Sequence, residues 1–351
     1  MSAPRLPAAA SSGAVPYLLL DAGDLDGLDR CLRAMAVLAP DERLVAATKA
    51  GEGNMNLALR VTTSARSVVV KQARPWVEKY PQIPAPDERA LVEAAFYGAV
   101  QGLPAVADRM PRLLGVDARN RVLVLDDLGP VADCTPMYQD GAADVPGLSA
   151  LVAWLSALHA APLADRVGAD GRDRLANRAM RRLNHEHLFV FPLRPDNGLD
   201  LDGITHGLQA EAARLQQHAA YVAAVADLGE RYLADGPALL HGDFFPGSWV
   251  RADSRVYVID PEFGFFGPPE FDLGVLLAHL LLAQRPERLL TEAVAAYDAR
   301  AGVDWALTHR FAGVEIMRRL IGVAQLPVAN DLAYKAALLR RSEQLIRTGT
   351  L

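Results

Sequence analysis

Apolar and polar residues recur along this chain with two different periods, and the change of period divides it in two. Leu44 to Lys49, Met55 to Thr62 and Ser67 to Gln72 are short runs rich in Val, Leu, Ala and Thr, separated by polar or Gly-containing connections. They predict three strands. Leu113 to Val116 and Arg121 to Leu125 predict two more, joined around Asp117 to Asn120. Asp21 to Val37 has amphipathic helical spacing. Asp87 to Val100 predicts an inserted helix with acidic residues in its first turn and Gly102 after its end. The segment Trp76 to Arg89 between strand and helix reads as a loop.

Beyond Gly129-Pro130 the spacing becomes helical over Leu148 to Ala161, Asp173 to Asn184, Ile204 to Leu233, Phe271 to Ala283, Pro286 to Ala299, Val303 to Gln325 and Asp331 to Ile346. Val190 to Gly203, rich in Pro, Asn and Asp, reads as a loop that shapes an opening. The pattern predicts an α+β fold of two lobes. A small antiparallel-sheet lobe spans residues 17–128 and a mostly helical lobe spans 129–351, with the cleft between them as the expected ligand site. Residues 1–16, rich in Ala, Ser and Pro, read as a disordered tail.

Composition narrows the class. With 351 residues, 51% of them hydrophobic, there is enough apolar material for two cores. The net charge of −6 is spread without a basic run, so no nucleic-acid partner is expected. The start lacks the charged segment and long apolar run of a secretory signal. Leu273 to Ala283 is apolar but too short to cross a bilayer, and His279 interrupts it, so it reads as a buried helix and no membrane partner is expected. Cys31 and Cys134 form no metal-type pair and read as small core residues; their scarcity fits a reducing cytoplasm. His185 and His187 stand two apart on a helix, which splays them and argues against a metal pair. The sequence leaves room for a homodimer without fixing the oligomeric state.

The chemistry concentrates at His241-Gly242-Asp243 and Val258-Ile259-Asp260-Pro261-Glu262. Trp249 to Arg251 and Arg255 to Ile259 predict a hairpin turning at Ala252-Asp253-Ser254. Its closure makes Ser248 and Asp260 neighbours, with Asp243 on the loop just before. Asp243 can then orient a hydroxyl while Asp260 and Glu262 hold a hard cation through oxygen. That is the equipment of phosphoryl transfer. His241 reads as a brace for this loop.

The nucleotide half is read from the first lobe. Gly51-Glu52-Gly53-Asn54-Met55-Asn56 lies between two strands, where Gly51, Gly53 and Asn54 would bring backbone N–H groups to phosphates. Taken alone it reads as an ordinary hairpin turn. Lys71 ends the run Val68 to Val70 and can serve phosphates as a point charge, or be an exposed strand lysine. Glu93, in mid-helix, is favoured over Glu88 as its partner. Asp126 to Leu128 stands at the hand-over between lobes, where backbone groups of Asp126 and Leu128 would meet a purine edge. The side chains of Asp126 and Asp127 read as solvated.

In this order the motifs resemble the aminoglycoside phosphotransferase and choline kinase superfamily, and within it the 5-methylthioribose kinase branch. The resemblance is carried by Gly51 to Asn56, Val70 to Ala73, His241 to Asp243 with Gly247-Ser248, Val258 to Gly274, and the stretch Ala312 to Gly322 with its paired arginines. It implies a two-lobe protein-kinase-like fold that transfers the γ-phosphate of ATP to a sugar hydroxyl. Asp243 would be the catalytic base. Asp260 and Glu262, with Ser248 beside them, would hold Mg²⁺. Lys71 would contact ATP, and Arg318 and Arg319 the acceptor or the transferring phosphoryl group.

Adjacent arginines on a helix point about 100° apart, so one is expected on the substrate and the other on an acid of the helical lobe. The chain departs from the branch at Phe245-Pro246, where His-Thr is usual, and in Trp76 to Arg89, which lacks a tryptophan at the aligned place. It is also shorter. Rival readings are a phosphotransferase of aminoglycosides or amino alcohols, and a non-catalytic nucleotide-binding protein.

Overall fold

The structure is a computed structural model that describes residues 18–51, 55–139, 145, 147–297, 302–328 and 331–351. The expected tail at 1–16 and the loop residues Glu52, Gly53 and Asn54 lie outside the described residues.

Among the described residues, seven strands belong to the first part of the chain: β1 (Leu44–Lys49), β2 (Leu57–Thr63), β3 (Ser67–Gln72), β4 (Trp76–Val77), β5 (Tyr80–Pro84), β6 (Leu113–Asp117) and β7 (Val122–Asp126). Five of them form one sheet in the order β1-β2-β3-β7-β6, with every neighbouring pair antiparallel. Alternation explains the layering. Leu57, Leu59 and Val61 of β2, with Val68 and Val70 of β3, turn to one face and pack on Leu28, Cys31 and Leu32 of the helix Leu25–Ala34. The next residues in β7, Leu123 and Leu125, turn to the other face, where the helix Arg89–Val100 supplies Ala90, Val92 and Phe96. Each such aliphatic side chain contributes about 1.5–3 kcal/mol by leaving water. β3 and β7 are therefore covered on both sides, and Lys71 rises from a buried strand.

Five short strands follow: β8 (Ala132–Asp133), β9 (Ala238–Leu240), β10 (Trp249–Ala252), β11 (Arg255–Val258) and β12 (Phe265–Gly267). The rest of the second part is helical. Its centre is the packing of Glu270–Leu282 against Trp305–Ile321, which in turn packs on Leu332–Thr348. Gly274 permits the first approach, since a Cβ there would lie 2.7 Å from Phe311 Cβ and 2.8 Å from the Thr308 carbonyl. Leu273 to Leu280 are all buried, as the apolar run predicts, and among the described residues no helix is long and apolar enough to cross a membrane. Both cysteines are buried and unpaired. The arrangement is the expected α+β, two-lobe fold.

Several boundaries differ from the pattern. Trp76 to Arg89 contains the β4–β5 hairpin, whose residues mostly face solvent and so leave no apolar alternation to read. The inserted helix starts at Arg89 with no acid in its first turn. The predicted helix at 173–184 breaks into Gly168–Arg174 and Arg178–His185, because Asn177 adopts left-handed backbone (φ 46°). The long run 204–233 breaks likewise into Leu208–Gln216 and Ala219–Leu233, where His218 Nδ1 accepts from the Tyr221 N–H and caps the second helix. The segment read as a loop from Val190 begins in tight helical turns through Leu193.

Candidate active site

The loop His241-Gly242-Asp243 leaves β9 and is clamped from behind. Asp272, fully buried, accepts the N–H groups of His241 (2.6 Å) and Gly242 (3.0 Å) and receives His159 Nε2 at 3.2 Å. Gly242 has φ +82°, and a Cβ there would fall 2.1 Å from the Phe263 carbonyl, so only glycine fits. His241 is buried against Phe96, Trp154 and Phe244. Its Nδ1 accepts the Asp243 N–H (3.3 Å), which leaves Nε2–H to donate to the Ile259 carbonyl (2.9 Å). The ring therefore ties the Asp243 loop to the strand that delivers Asp260.

That strand is half of the predicted hairpin. β10 and β11 pair from Trp249↔Val258 to Ala252↔Arg255, and the Ile259 N–H donates to the Ser248 carbonyl at 3.0 Å. Ser248 and the Asp260 segment are neighbours as expected. The buried Ser248 hydroxyl donates to the Asp243 carbonyl (3.0 Å), bracing the same loop.

Asp260 and Glu262 differ sharply in surroundings. Asp260 sits in left-handed backbone (φ 64°) with its side chain 46% exposed. Glu262 is buried: its Oε2 accepts from Asn56 Nδ2 (2.9 Å) and lies 3.2 Å from Arg89 Nε. Burial pushes the Glu262 carboxyl up, against the pull of Arg89 and Lys71. The Asn177 side-chain amide donates to the Glu262 and Gly264 carbonyls, both at 3.0 Å, which explains the helix break that puts it there.

Lys71 meets Glu93 through both carboxylate oxygens (2.7 and 2.8 Å) and Asp260 Oδ1 (2.7 Å). Glu93, and not Glu88, is its partner. Burial works against the Lys71 charge, but Asp260, Glu93 and Glu262 together outweigh it and hold the ammonium well above its ordinary range. Burial likewise pushes Glu93 up to about 7, although Lys71 pulls it down.

At the hand-over segment the expectation needs correction. The Asp127 side chain is only 4% exposed, with Arg60 at 2.8 Å and Ser67 at 2.6 Å on its carboxylate. Asp126 pairs with Arg112, and its N–H donates to the Arg112 carbonyl (2.9 Å). Leu128 is half-buried beside it, and Gly51 is exposed at the mouth of the glycine segment.

The arginine pair also departs from expectation. Arg318 Nε donates to Glu315 Oε2 (2.6 Å) and Arg319 Nε to Glu315 Oε1 (2.8 Å). Both also reach Asp243 Oδ1, at 3.4 and 3.6 Å from their Nη2 atoms. Both serve one side of the site because Glu315 lies about 60° to one side of Arg318 and about 40° to the other side of Arg319 around the helix. The Arg319 guanidinium also lies 4.5 Å over the Phe245 ring.

Three residues escaped the sequence reading. Arg89, with no solvent exposure, donates to Asn56, Arg74, Pro86, Met55 and Trp76, and so ties the end of the glycine segment and the β4–β5 hairpin to Glu262. A cation at a helix start gives no sign of this. Asp272 and Glu315 do carry a signal, each being an acid flanked by apolar residues on its helix.

The model of the phosphotransferase enzyme family matches residues 46–309. The chain is 27% identical over 344 residues to a methylthioribose kinase of Exiguobacterium sibiricum, covering 87% of each protein. It is 31% identical over 261 residues to a methylthioribose kinase of Yersinia pseudotuberculosis, covering 71% of this chain and 62% of that protein. It thus spans less than two thirds of the Yersinia protein. Solved structures with a similar fold include LicA in complex with AMP, with a TM-score of 0.50, 12% identity, and coverage of 93% of this chain and 98% of that one. A spectinomycin phosphotransferase bound to ADP and spectinomycin has a TM-score of 0.50, 11% identity, and coverage of 92% and 98%. At these identities the structural likeness concerns the fold.

Proposed function

The chain belongs to the phosphotransferase enzyme family, and from that premise we propose that it transfers the γ-phosphoryl group of ATP to a hydroxyl of a methylthioribose-like sugar. One observation carries the choice of acceptor: two guanidinium groups face the Asp243 carboxylate. Cations repel a polyamine and suit an uncharged polyol or a transferring phosphate. The relatives named methylthioribose kinases support the same reading.

In this account Lys71, held by Glu93, positions the triphosphate together with the glycine segment. Asp243 orients the acceptor hydroxyl. As the acceptor oxygen bonds to the γ-phosphorus and the bond to the ADP oxygen breaks, Asp243 takes the hydroxyl proton. Arg318 and Arg319 steady the charge on the acceptor side. Alignment and charge neutralisation supply most of the acceleration.

The donors also suit Mg²⁺, which takes one or two protein carboxylates and fills its shell with phosphate oxygens and water. Asp260 is open to the site and Glu262 stands behind it on the same turn. These two would hold the ion, which supplies charge neutralisation on the phosphates, while Ser248 steadies the loop.

The two carboxylates should fail differently. Asp260→Ala is expected to remove Mg²⁺-dependent ATP binding with little change in melting temperature. Glu262→Ala strands the buried Arg89 guanidinium, a loss of about 3–5 kcal/mol of stability by analogy with broken buried pairs. Calorimetric titration of Mg-ATP beside thermal melts separates them. Wild-type Mg-ATP affinity in Asp260→Ala would remove the metal assignment.

An ATP-consumption screen across methylthioribose, other 5-deoxypentoses, amino alcohols and aminoglycosides tests the whole reading. The highest kcat/KM is expected for methylthioribose or a near analogue. Turnover confined to cationic acceptors would contradict it.

A further inference from the structure

Behind the arginine pair lies a chain of buried groups that does not reach the cleft. Glu315 is 1% exposed and His279 has no exposure. His279 Nε2 contacts Glu315 Oε1 at 3.0 Å, and His279 Nδ1 contacts the Tyr138 hydroxyl at 2.6 Å. A carboxylate can only accept, so Nε2 carries the proton and Nδ1 accepts from Tyr138. The ring is then neutral, in keeping with burial, which pushes His279 down to about 4. Burial opposes the charge on Glu315, but Arg318 and Arg319 hold its carboxyl well below the ordinary range. Glu315 therefore stays ionised between two cations and one neutral donor.

We infer that Glu315 is the positioning residue of the acceptor side: by taking one Nε from each arginine it aims both Nη2 atoms at Asp243, while Tyr138 and His279 fix Glu315 in turn. The inference rests on the functional reading above. Energetics favour it over a purely stabilising role. Buried charge clusters seldom add stability relative to well-packed apolar side chains, because desolvation offsets their attraction. What this cluster supplies is direction. Arg319 Nη2 is buried without a hydrogen-bond partner, 3.6 Å from the Asp243 carboxylate, so its charge faces that carboxylate with no hydrogen bond committed elsewhere. Phe245, stacked over Arg319 and 5.6 Å from the His279 ring, closes the other side of the same group. Left loose, two guanidinium groups this near Asp243 would sample several pairings with it. Positioned as they are, both approach Asp243 Oδ1.

The test is Glu315→Gln, which keeps shape and removes the charge. On the best acceptor found, kcat/KM is expected to fall about 10–100-fold, the scale of losing a hydrogen bond to a charged group. KM for ATP and the calorimetric Mg-ATP affinity should remain as in wild type. A role limited to stability would lower the melting temperature and leave acceptor kinetics per folded molecule unchanged, and that result overturns the inference.

Should Glu315→Gln fail to fold, His279→Leu keeps the Glu315 charge and removes its neutral donor. A several-fold loss in acceptor kcat/KM at unchanged ATP affinity is then expected, and wild-type kinetics overturn the inference. A crystal structure of whichever variant folds gives a reading independent of the acceptor. The arginine Nη2 atoms should move off Asp243; if both keep their present distances, the inference fails even where the choice of sugar proves right. Conversely, a different acceptor with a large Glu315→Gln loss removes the sugar assignment and leaves the positioning role standing.

Discussion

Asp243→Asn is expected to lower kcat by about 10²–10⁴-fold, the usual contribution of a general base, while ATP binding persists. The substitution keeps the shape of the side chain and the loop that carries it. Asp272 still clamps the His241 and Gly242 N–H groups, and the Asp243 N–H still meets His241 Nδ1. Lys71, Glu93 and Asp260 are untouched, so the nucleotide side should bind as before. The capacity to take the hydroxyl proton is removed, together with the negative charge that faces Arg318 and Arg319. Single-turnover kinetics with saturating acceptor measure the loss directly. A variant retaining more than about a tenth of wild-type kcat would mean that another group is the base.

Exchanging either arginine for lysine should produce the second large effect. Lysine keeps the charge but has no Nε to give Glu315 and no second nitrogen to point at Asp243. Arg318→Lys and Arg319→Lys are each expected to lower kcat/KM for the acceptor by about 10–100-fold, as for other hydrogen bonds to charged groups. KM for ATP should not change, since the contacts described for both guanidinium groups run to Glu315, Asp243 and Phe245 and not to Lys71 or its partners. Arg319→Lys should be the more damaging, because that guanidinium also stacks on Phe245. If both variants match wild type toward the best acceptor, the arginines do not serve the acceptor, and the preference for a sugar over a cationic substrate loses its carrying observation.

These expectations rest on features that differ in how plainly they can be read. The β10–β11 hairpin was legible because two short apolar runs flank a polar turn, and hairpin closure makes Ser248 and Asp260 neighbours by geometry alone. The pairing of Lys71 with Glu93 was legible because a mid-helix acid opposite a buried strand lysine has no cheaper partner. Longer-range contacts were not. Arg89 looks like any helix-start cation until the fold buries it between Asn56 and Glu262. Asn177 interrupts a helical pattern for the sake of carbonyls 85 and 87 residues away. The arginine pair was misread because angle alone separates adjacent residues, whereas a carboxylate three and four positions earlier lies between them and draws them together. That spacing is present in Glu315-Ile316-Met317-Arg318-Arg319 and is the signal that would have found it.

The central claim is tested most directly by following the label from [γ-³²P]ATP when the purified enzyme, Mg²⁺ and methylthioribose are combined. The account predicts one phosphate appearing on the sugar for each ATP consumed, at a rate that falls with Asp243→Asn by the factor given above. Label released only as inorganic phosphate, at a rate unchanged by adding the sugar, would contradict it.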